Sequence, residues 1–336
     1  MTDEKNIRQL FDNFRKQKIL IIGDVMIDSY LWGKVDRISP EAPVPIVSLK
    51  KRENRMGGAA NVALNIQSLG AEPILCSIIG KDDKSHVFFE LMKKQDLDVS
   101  GLITSENRIT TTKFRIIGNN VQMLRVDEET EKSITEEETS NLIAKIDQLL
   151  DRENIGAIVF EDYDKGVITP VLIDAIVKLA KKYKIPVVVD PKKKNFMNYH
   201  GVTLFKPNLK ELREGLKLDD DLDTMDSISA AVKELQKRLN VDTTLTTLSE
   251  RGVFFSKKVS DGEFETGNIP AHIRDIADVS GAGDTVISIT ALCMALNTDV
   301  ELMAKLANLA GGLVCEYVGV VPVDRQRLFD EAIKKL

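Results

Sequence analysis

Short, unbroken apolar runs that end in polar residues constrain the fold of this chain most. Ile19-Leu20-Ile21-Ile22 leads into Gly23-Asp24. Similar runs are Pro73-Ile74-Leu75-Cys76-Ser77-Ile78-Ile79-Gly80, Ala157-Ile158-Val159-Phe160, Val187-Val188-Val189-Asp190 and Thr244-Leu245-Thr246-Thr247-Leu248. They are short and lack the alternation of a half-exposed strand, so they predict strands buried on both faces. A polar helical leader, Asn6 to Gln17, precedes them. Helical patterns lie between them at Ala59 to Leu69, Ser85 to Lys94, Thr139 to Leu150 and Pro170 to Tyr183. This alternation predicts an α/β fold with a mostly parallel sheet covered on both sides. Such sheets bind ligands beyond the carboxyl ends of their strands. Asp24, Asp28, Glu161, Asp162, Asp190, Lys192 and Asn208 cluster just there.

Two segments break the alternation. Tyr30 to Lys50 is extended and carries prolines at 40, 43 and 45. Thr110 to Val126 reads as a hairpin, two β-rich arms around Gly118-Asn119-Asn120. Together they predict a small sheet standing off the main domain as a lid, over about 30–50 and 108–127. The expected organisation is a single domain over residues 1–336.

Composition narrows the function. With 46 Lys plus Arg against 52 Asp plus Glu the net charge is −6, which disfavours nucleic acid or an anionic membrane as the main partner. The longest uncharged run, Met56 to Ala71, contains Gly, Asn, Gln and Ser and is too short and polar to span a bilayer. The charged start has no apolar signal core, and Cys76, Cys293 and Cys315 are far apart in apolar contexts. Both observations predict a cytoplasmic protein with reduced core thiols. His86, His200 and His272 are scattered and offer no zinc spacing. The chain has no G-x-x-x-x-G-K-[ST], no G-x-G-x-x-G after the first strand and no G-x-S-x-G.

Three motifs could carry chemistry, and each has a purely structural reading beside it. In Asp278-Val279-Ser280-Gly281-Ala282-Gly283-Asp284, small residues open a helix whose N–H groups form an anion hole for a transferring phosphoryl group. Asp284 could accept a hydroxyl proton there, or simply favour the helix start. In Arg55-Met56-Gly57-Gly58-Ala59-Ala60-Asn61-Val62-Ala63, paired glycines allow close approach to a ligand, and Asn61 could bond vicinal hydroxyls. The same residues would equally make a tight turn. In Lys206-Pro207-Asn208-Leu209-Lys210-Glu211, Asn208 and Glu211 form a capping-box pattern, or orient the waters of phosphate-bound Mg²⁺.

The G-G-x-x-N and D-x-x-G-A-G-D elements, about 220 residues apart, together resemble the signatures of the ribokinase/PfkB carbohydrate-kinase family. The resemblance runs from about Lys18 to Val323. It is nearest to one branch, the D-glycero-β-D-manno-heptose-7-phosphate kinases. That branch is matched by Asp36-Arg37-Ile38-Ser39-Pro40-Glu41-Ala42-Pro43-Val44-Pro45, Asp162-Tyr163-Asp164-Lys165-Gly166 and Asp190-Pro191-Lys192. Thr112-Lys113-Phe114-Arg115 and Leu124-Arg125-Val126-Asp127 match it too. The chain departs from the branch at Leu248, where Arg is common, at Glu161, where a small Ser is usual, and at Asp164, where Ala is frequent.

The resemblance implies a ribokinase-like three-layer fold and ATP-dependent phosphorylation of the anomeric hydroxyl of heptose 7-phosphate, toward lipopolysaccharide cores. It makes Asp284 the general base, with the Gly281, Ala282 and Gly283 amides as the anion hole. It places Asn208, Lys210, Glu211, Lys192, Thr247, Ser249, Glu250, Gly252 and Asn308 on ATP, with Asn208 and Glu211 at Mg²⁺, largely through water. It places Asp28, Gly57, Gly58, Asn61 and Asp162 on the sugar. Lys113, Arg115 and Arg125 are candidates for the sugar's phosphate, or form a solvated hairpin face. The family leaves a monovalent cation open as a further cofactor, and its lid often clasps a second subunit, so a homodimer is expected. Many members of the branch carry an adenylyltransferase domain marked by H-x-G-H. That motif is absent, so the expectation is the kinase region alone. Kinases of other sugars or nucleosides, a nicotinamide dehydrogenase and a non-catalytic sugar-phosphate-binding protein are the alternatives.

Overall fold

A computed structural model describes residues 4–219, 221–260 and 262–336. Its elements, in chain order, begin with α1 (Glu4–Phe14), β1 (Lys18–Gly23), β2 (Val25–Ile38), β3 (Pro45–Gly58), α2 (Ala59–Ser68), β4 (Glu72–Gly80) and α3 (Asp83–Lys94). There follow β5 (Leu102–Ser105), β6 (Thr112–Gly118), β7 (Val121–Glu128), α4 (Glu136–Arg152), β8 (Ile155–Glu161), α5 (Pro170–Tyr183), β9 (Val187–Asp190) and β10 (Leu204–Phe205). The rest are α6 (Leu209–Leu216), α7 (Met225–Leu239), β11 (Thr243–Thr247), β12 (Val253–Ser260), β13 (Glu263–Ile269), α8 (Ala282–Ala295), α9 (Val300–Val314) and α10 (Arg325–Lys335).

The main sheet has nine strands in the order β13-β12-β11-β10-β9-β8-β1-β4-β5. From β11 through β5 every neighbouring pair is parallel, as the uninterrupted apolar runs predict. Ile19 to Ile22 are all fully buried, alternating between two cores. Odd-numbered residues of β1 face α1, α2, α3, α8, α9 and α10, and even-numbered ones face α4, α5, α6 and α7. Each such Ile stabilises the fold by roughly 1.5–3 kcal/mol relative to exposure. The antiparallel edge β12–β13 goes beyond the sequence reading: β12 is buried only over Val253–Ser256, too short an apolar run to stand out, and β13 is polar and largely solvated.

The second sheet has the order β3-β2-β6-β7. It gathers both interrupting segments, and its strands reach back to Val25 and forward to Glu128, further than the sequence suggested. The hairpin turn is Asn119-Asn120, with φ of 51° and 64°, the two left-handed residues of a tight primed turn. Asn119 also accepts from Val35 N and donates to Val35 O, stitching the turn to β2.

Candidate active site

The polar cluster sits where parallel strands end and α8 begins. Gly281, at φ 82°, is the left-handed residue that lets the chain turn into α8. Asp278 shapes this entry by accepting from Ser280 N at 3.0 Å and Gly319 N at 2.9 Å. The Ala282 amide turns back onto Val279 O at 3.3 Å, while the first-turn amide of Gly283 has no helical carbonyl to bond. A Cβ on Gly283 would lie 3.6 Å from Asp190 Oδ2 and 3.8 Å from Lys206 Nζ. The helix start therefore opens onto a buried ion pair, Lys206 to Asp190 at 2.8 Å.

Asp284 is buried in the first turn of α8. Asn61 Nδ2 donates to its Oδ2 at 2.6 Å, and the Tyr163 hydroxyl donates to its Oδ1 at 2.7 Å. Burial pushes its pKa up, the Asn61 and Tyr163 hydrogen bonds pull it back, and Asp190 adds upward pressure that Lys206 opposes. Glu161 ends β8 beside Asp190, and its Oε2 is buried without a partner. Burial first, then the charges of Asp190 and Asp284, raise its pKa well above the carboxylate range. Lys206 stays protonated because Asp190 and Glu211 outweigh its burial.

On the lid side, Asp28 is buried and ion-paired to Arg115. A Cβ on Gly57 would stand 2.5 Å from Asp28 Oδ2, so only glycine leaves room for that carboxylate. Gly58 has φ 62°, and a Cβ there would collide with Asp24 O at 2.3 Å. The sheet register shows which of these side chains share a face. Asp28 pairs with Lys113 and with Arg55, Tyr30 with Arg115, and Arg115 with Arg125. Directly paired residues share a face, so Lys113, Arg115 and Arg125 line one side of the lid with Asp28. Arg55, which opens the glycine motif but has no role in the sequence reading, belongs to the same face. It lies 4.9 Å from the Tyr30 ring centroid, with Arg115 at 5.4 Å.

On the other side, the capping box of α6 forms as its pattern predicts. Asn208 N donates to Glu211 Oε2 at 2.9 Å and Glu211 N to Asn208 Oδ1 at 2.8 Å. Glu211 Oε1 also accepts from Lys192 at 2.7 Å, so capping and site geometry coexist in one residue. Asn208 bridges Thr247. A cleft of about 560 Å³ is lined by Asn208, Lys210, Arg213, Leu222 and Ser249. Glu250 lies in the short turn Ser249–Arg251, which closes at Gly252 with φ 88°. Asn308 on α9 donates to Pro270 O at 2.8 Å, fastening the segment before α8.

One site residue, Asp162, lies differently from the sequence expectation, and the branch departures Leu248 and Asp164 take structural places. Asp162 faces away from the anion hole into a buried network, accepting from Tyr199 at 2.7 Å, Asn195 at 3.1 Å and Asp164 N at 2.9 Å. The reason is strand alternation, since its neighbour Glu161 takes the α8 side. Leu248 is buried in the core and presents nothing to a nucleotide. Asp164, at φ 57°, accepts from Lys194 N. The residue most plainly missed is Tyr163. It stands inside the quoted Asp162-Tyr163-Asp164 motif, but its partner is 121 residues away.

All three cysteines are buried free thiols. Among the described residues, no helix is long and apolar enough to cross a membrane, and no group of three or more His, Cys, Asp or Glu could hold a metal.

A three-layer α/β sheet with a β-lid and an acid in a glycine-opened helix start define a ribokinase-like sugar kinase. The chain belongs to the pfkB family of carbohydrate kinases, which it matches over residues 16–325. Among its relatives, the bifunctional protein HldE of Geobacter sulfurreducens is 35% identical over 323 residues, 96% of this chain. That of Helicobacter pylori strain J99 is 38% identical over 303 residues, 90% of this chain. The chain spans 64% of the length of each. The fold is shared with Escherichia coli phosphofructokinase-2 in complex with potassium, at TM-score 0.76 and 18% identity, covering 94% of this chain and 99% of that one. It is also shared with Arabidopsis thaliana ribokinase complexed with ribose and ATP, at TM-score 0.72 and 17% identity, covering 95% and 99%.

Proposed function

We propose that this protein transfers the γ-phosphoryl group of ATP to the anomeric hydroxyl of D-glycero-β-D-manno-heptose 7-phosphate. The observation that carries the reading is Asp284, buried at a helix N-terminus, held by Asn61 and Tyr163 and flanked by Lys206. In this reading the acceptor hydroxyl lies against Asp284, which takes its proton as the oxygen attacks. Negative charge spread over the transferring group is met by the Gly281–Gly283 helix start and by Lys206. Positioning and electrostatics do most of the work, because phosphoryl transfer asks little covalent chemistry of the protein.

Asn208, Glu211 and Lys192 face the nucleotide, with Lys210, Thr247, Ser249, Glu250, Gly252 and Asn308 around it. One amide and one carboxylate already bonded to Lys192 suit Mg²⁺ held through its water shell, not by direct protein ligands. When bound, that ion neutralises the β- and γ-phosphate oxygens. Asp28, Asn61 and the Gly57–Gly58 backbone hold sugar hydroxyls, and the cationic lid face meets the 7-phosphate. The opposite lid face carries exposed Leu124 and Val126 beside Phe114 and Ile116 in register. Such a patch suits a second copy of the chain, so a lid-to-lid homodimer is part of the proposal. The heptose assignment is supported by the HldE relatives. A kinase of another sugar is the alternative, and the engagement of Arg115 with Asp28 favours it. Product analysis by phosphorus NMR separates the two: an anomeric phosphate on the heptose supports the first.

A further inference from the structure

Among the described residues, two side chains donate hydrogen bonds to the Asp284 carboxylate, and of these only Asn61 was itself assigned a role by the sequence. The other, Tyr163, follows β8 by two residues, and its hydroxyl donates to Asp284 Oδ1 at 2.7 Å. The same ring carries Lys192 Nζ at 5.5 Å from its centroid. Lys192 in turn donates to Glu211, which caps Asn208. One phenol therefore touches the acid on the acceptor side and a cation on the nucleotide side.

The groups around Asp284 pull in opposite directions. Asp190 from β9 opposes a negative charge on it, Lys206, which follows β10, favours one, and Glu161 from β8 is the neighbouring carboxyl whose own ionisation Asp284 disfavours. Asn61 from α2 and Tyr163 favour the charge by donating hydrogen bonds, against a burial that disfavours it. A base must be ionised to act, so the donors decide how much of the enzyme is competent at a given pH.

We propose that Tyr163 is a positioning residue for phosphoryl transfer, whose hydroxyl keeps Asp284 ionised and aimed while its ring seats Lys192 on the nucleotide side. The inference rests on the kinase reading above.

The test compares kcat/KM against pH for the full-length wild type and Tyr163→Phe, using Mg-ATP and whichever sugar turns over. Loss of the hydroxyl moves the acid limb up by about one unit, so activity below the limb falls about tenfold and the deficit narrows as pH rises. The KM for ATP stays within about twofold because the ring remains, whereas Tyr163→Leu, which removes the ring, raises it about fivefold or more. Wild-type protein grown with 3-fluorotyrosine keeps the ring and strengthens the donor, so its limb moves to lower pH. Tyr30, Tyr183, Tyr199 and Tyr317 are labelled too, but the Asp284 carboxylate accepts from Tyr163, and a Tyr163→Phe protein grown with 3-fluorotyrosine removes their share of any shift. A limb unmoved in both proteins, or a uniform loss at every pH in Tyr163→Phe, overturns the proposal. The Asp284 carboxyl carbon, assigned by its absence in Asp284→Asn, titrates in NMR without turnover. Failure to phosphorylate any acceptor therefore removes the kinase reading, while an Asp284 titration unchanged in Tyr163→Phe removes this one.

Discussion

Asn61 and Asp284, 223 positions apart, are joined by a 2.6 Å hydrogen bond from Asn61 Nδ2 to Asp284 Oδ2. That bond closes the glycine-pair motif onto the glycine-opened helix and makes one site of two distant signatures. α2 and α8 pack side by side on the same face of the sheet, and Thr285 extends the link by donating to Asn65.

Asp284→Asn keeps the size of the side chain and removes its basicity. Turnover should fall by about 10² or more while the KM for ATP and the melting temperature change little. Steady-state kinetics with thermal unfolding checks this, and near-normal turnover removes Asp284 from the role.

Gly57→Ala adds a methyl group 2.5 Å from Asp28 Oδ2. Asp28 must shift, and its pairing with Arg115 shifts with it. The KM for the sugar should rise about tenfold or more with the KM for ATP unaffected, as read from kinetics with each substrate varied in turn.

The lid cations differ in how they are engaged. Arg125 is half-exposed and pairs with Asp127 at 3.0 Å, whereas Arg115 is tied to buried Asp28. Arg125→Ala should raise the KM for a phosphosugar about tenfold, in keeping with loss of a charge-assisted hydrogen bond, and leave the KM for ATP unchanged. Equal rises in both would assign Arg125 to the lid's structure.

Asp162 gives stability a pH dependence. Burial, with the nearby Asp24 charge, pushes its pKa up to about 6, above the unfolded value of about 3.9. The folded state therefore binds the extra proton, and the contribution is complete below about pH 4 and lost as pH rises through about 6. The loss amounts to roughly 3 kcal/mol. Urea unfolding of wild type and Asp162→Asn across pH 4 to 8 should show their difference changing in that window. A constant difference would contradict the assignment.

What the sequence disclosed follows from the range of each interaction. β1, β8 and β9 are legible because strands buried on both faces admit only apolar side chains. The start of α6 is legible because Asn208 and Glu211 bond within one turn. The shared face of Lys113, Arg115, Arg125 and Arg55 was not, because it depends on pairing between three segments. Tyr163 and Asp162 were misplaced or missed for a related reason. Which side of the sheet each one takes depends on where β8 ends, and strand ends are weakly encoded in local sequence.

Phosphoryl transfer from ATP to a heptose phosphate at Asp284 is tested by ADP release measured with Mg-ATP and D-glycero-D-manno-heptose 7-phosphate, beside ribose, fructose 6-phosphate and adenosine, with phosphorus NMR of the products. Fast turnover is expected with the heptose phosphate alone, with a new anomeric phosphate that Asp284→Asn does not form. Turnover confined to another acceptor would contradict the heptose assignment, and no ADP release with any of the four would contradict the transfer reaction proposed for them.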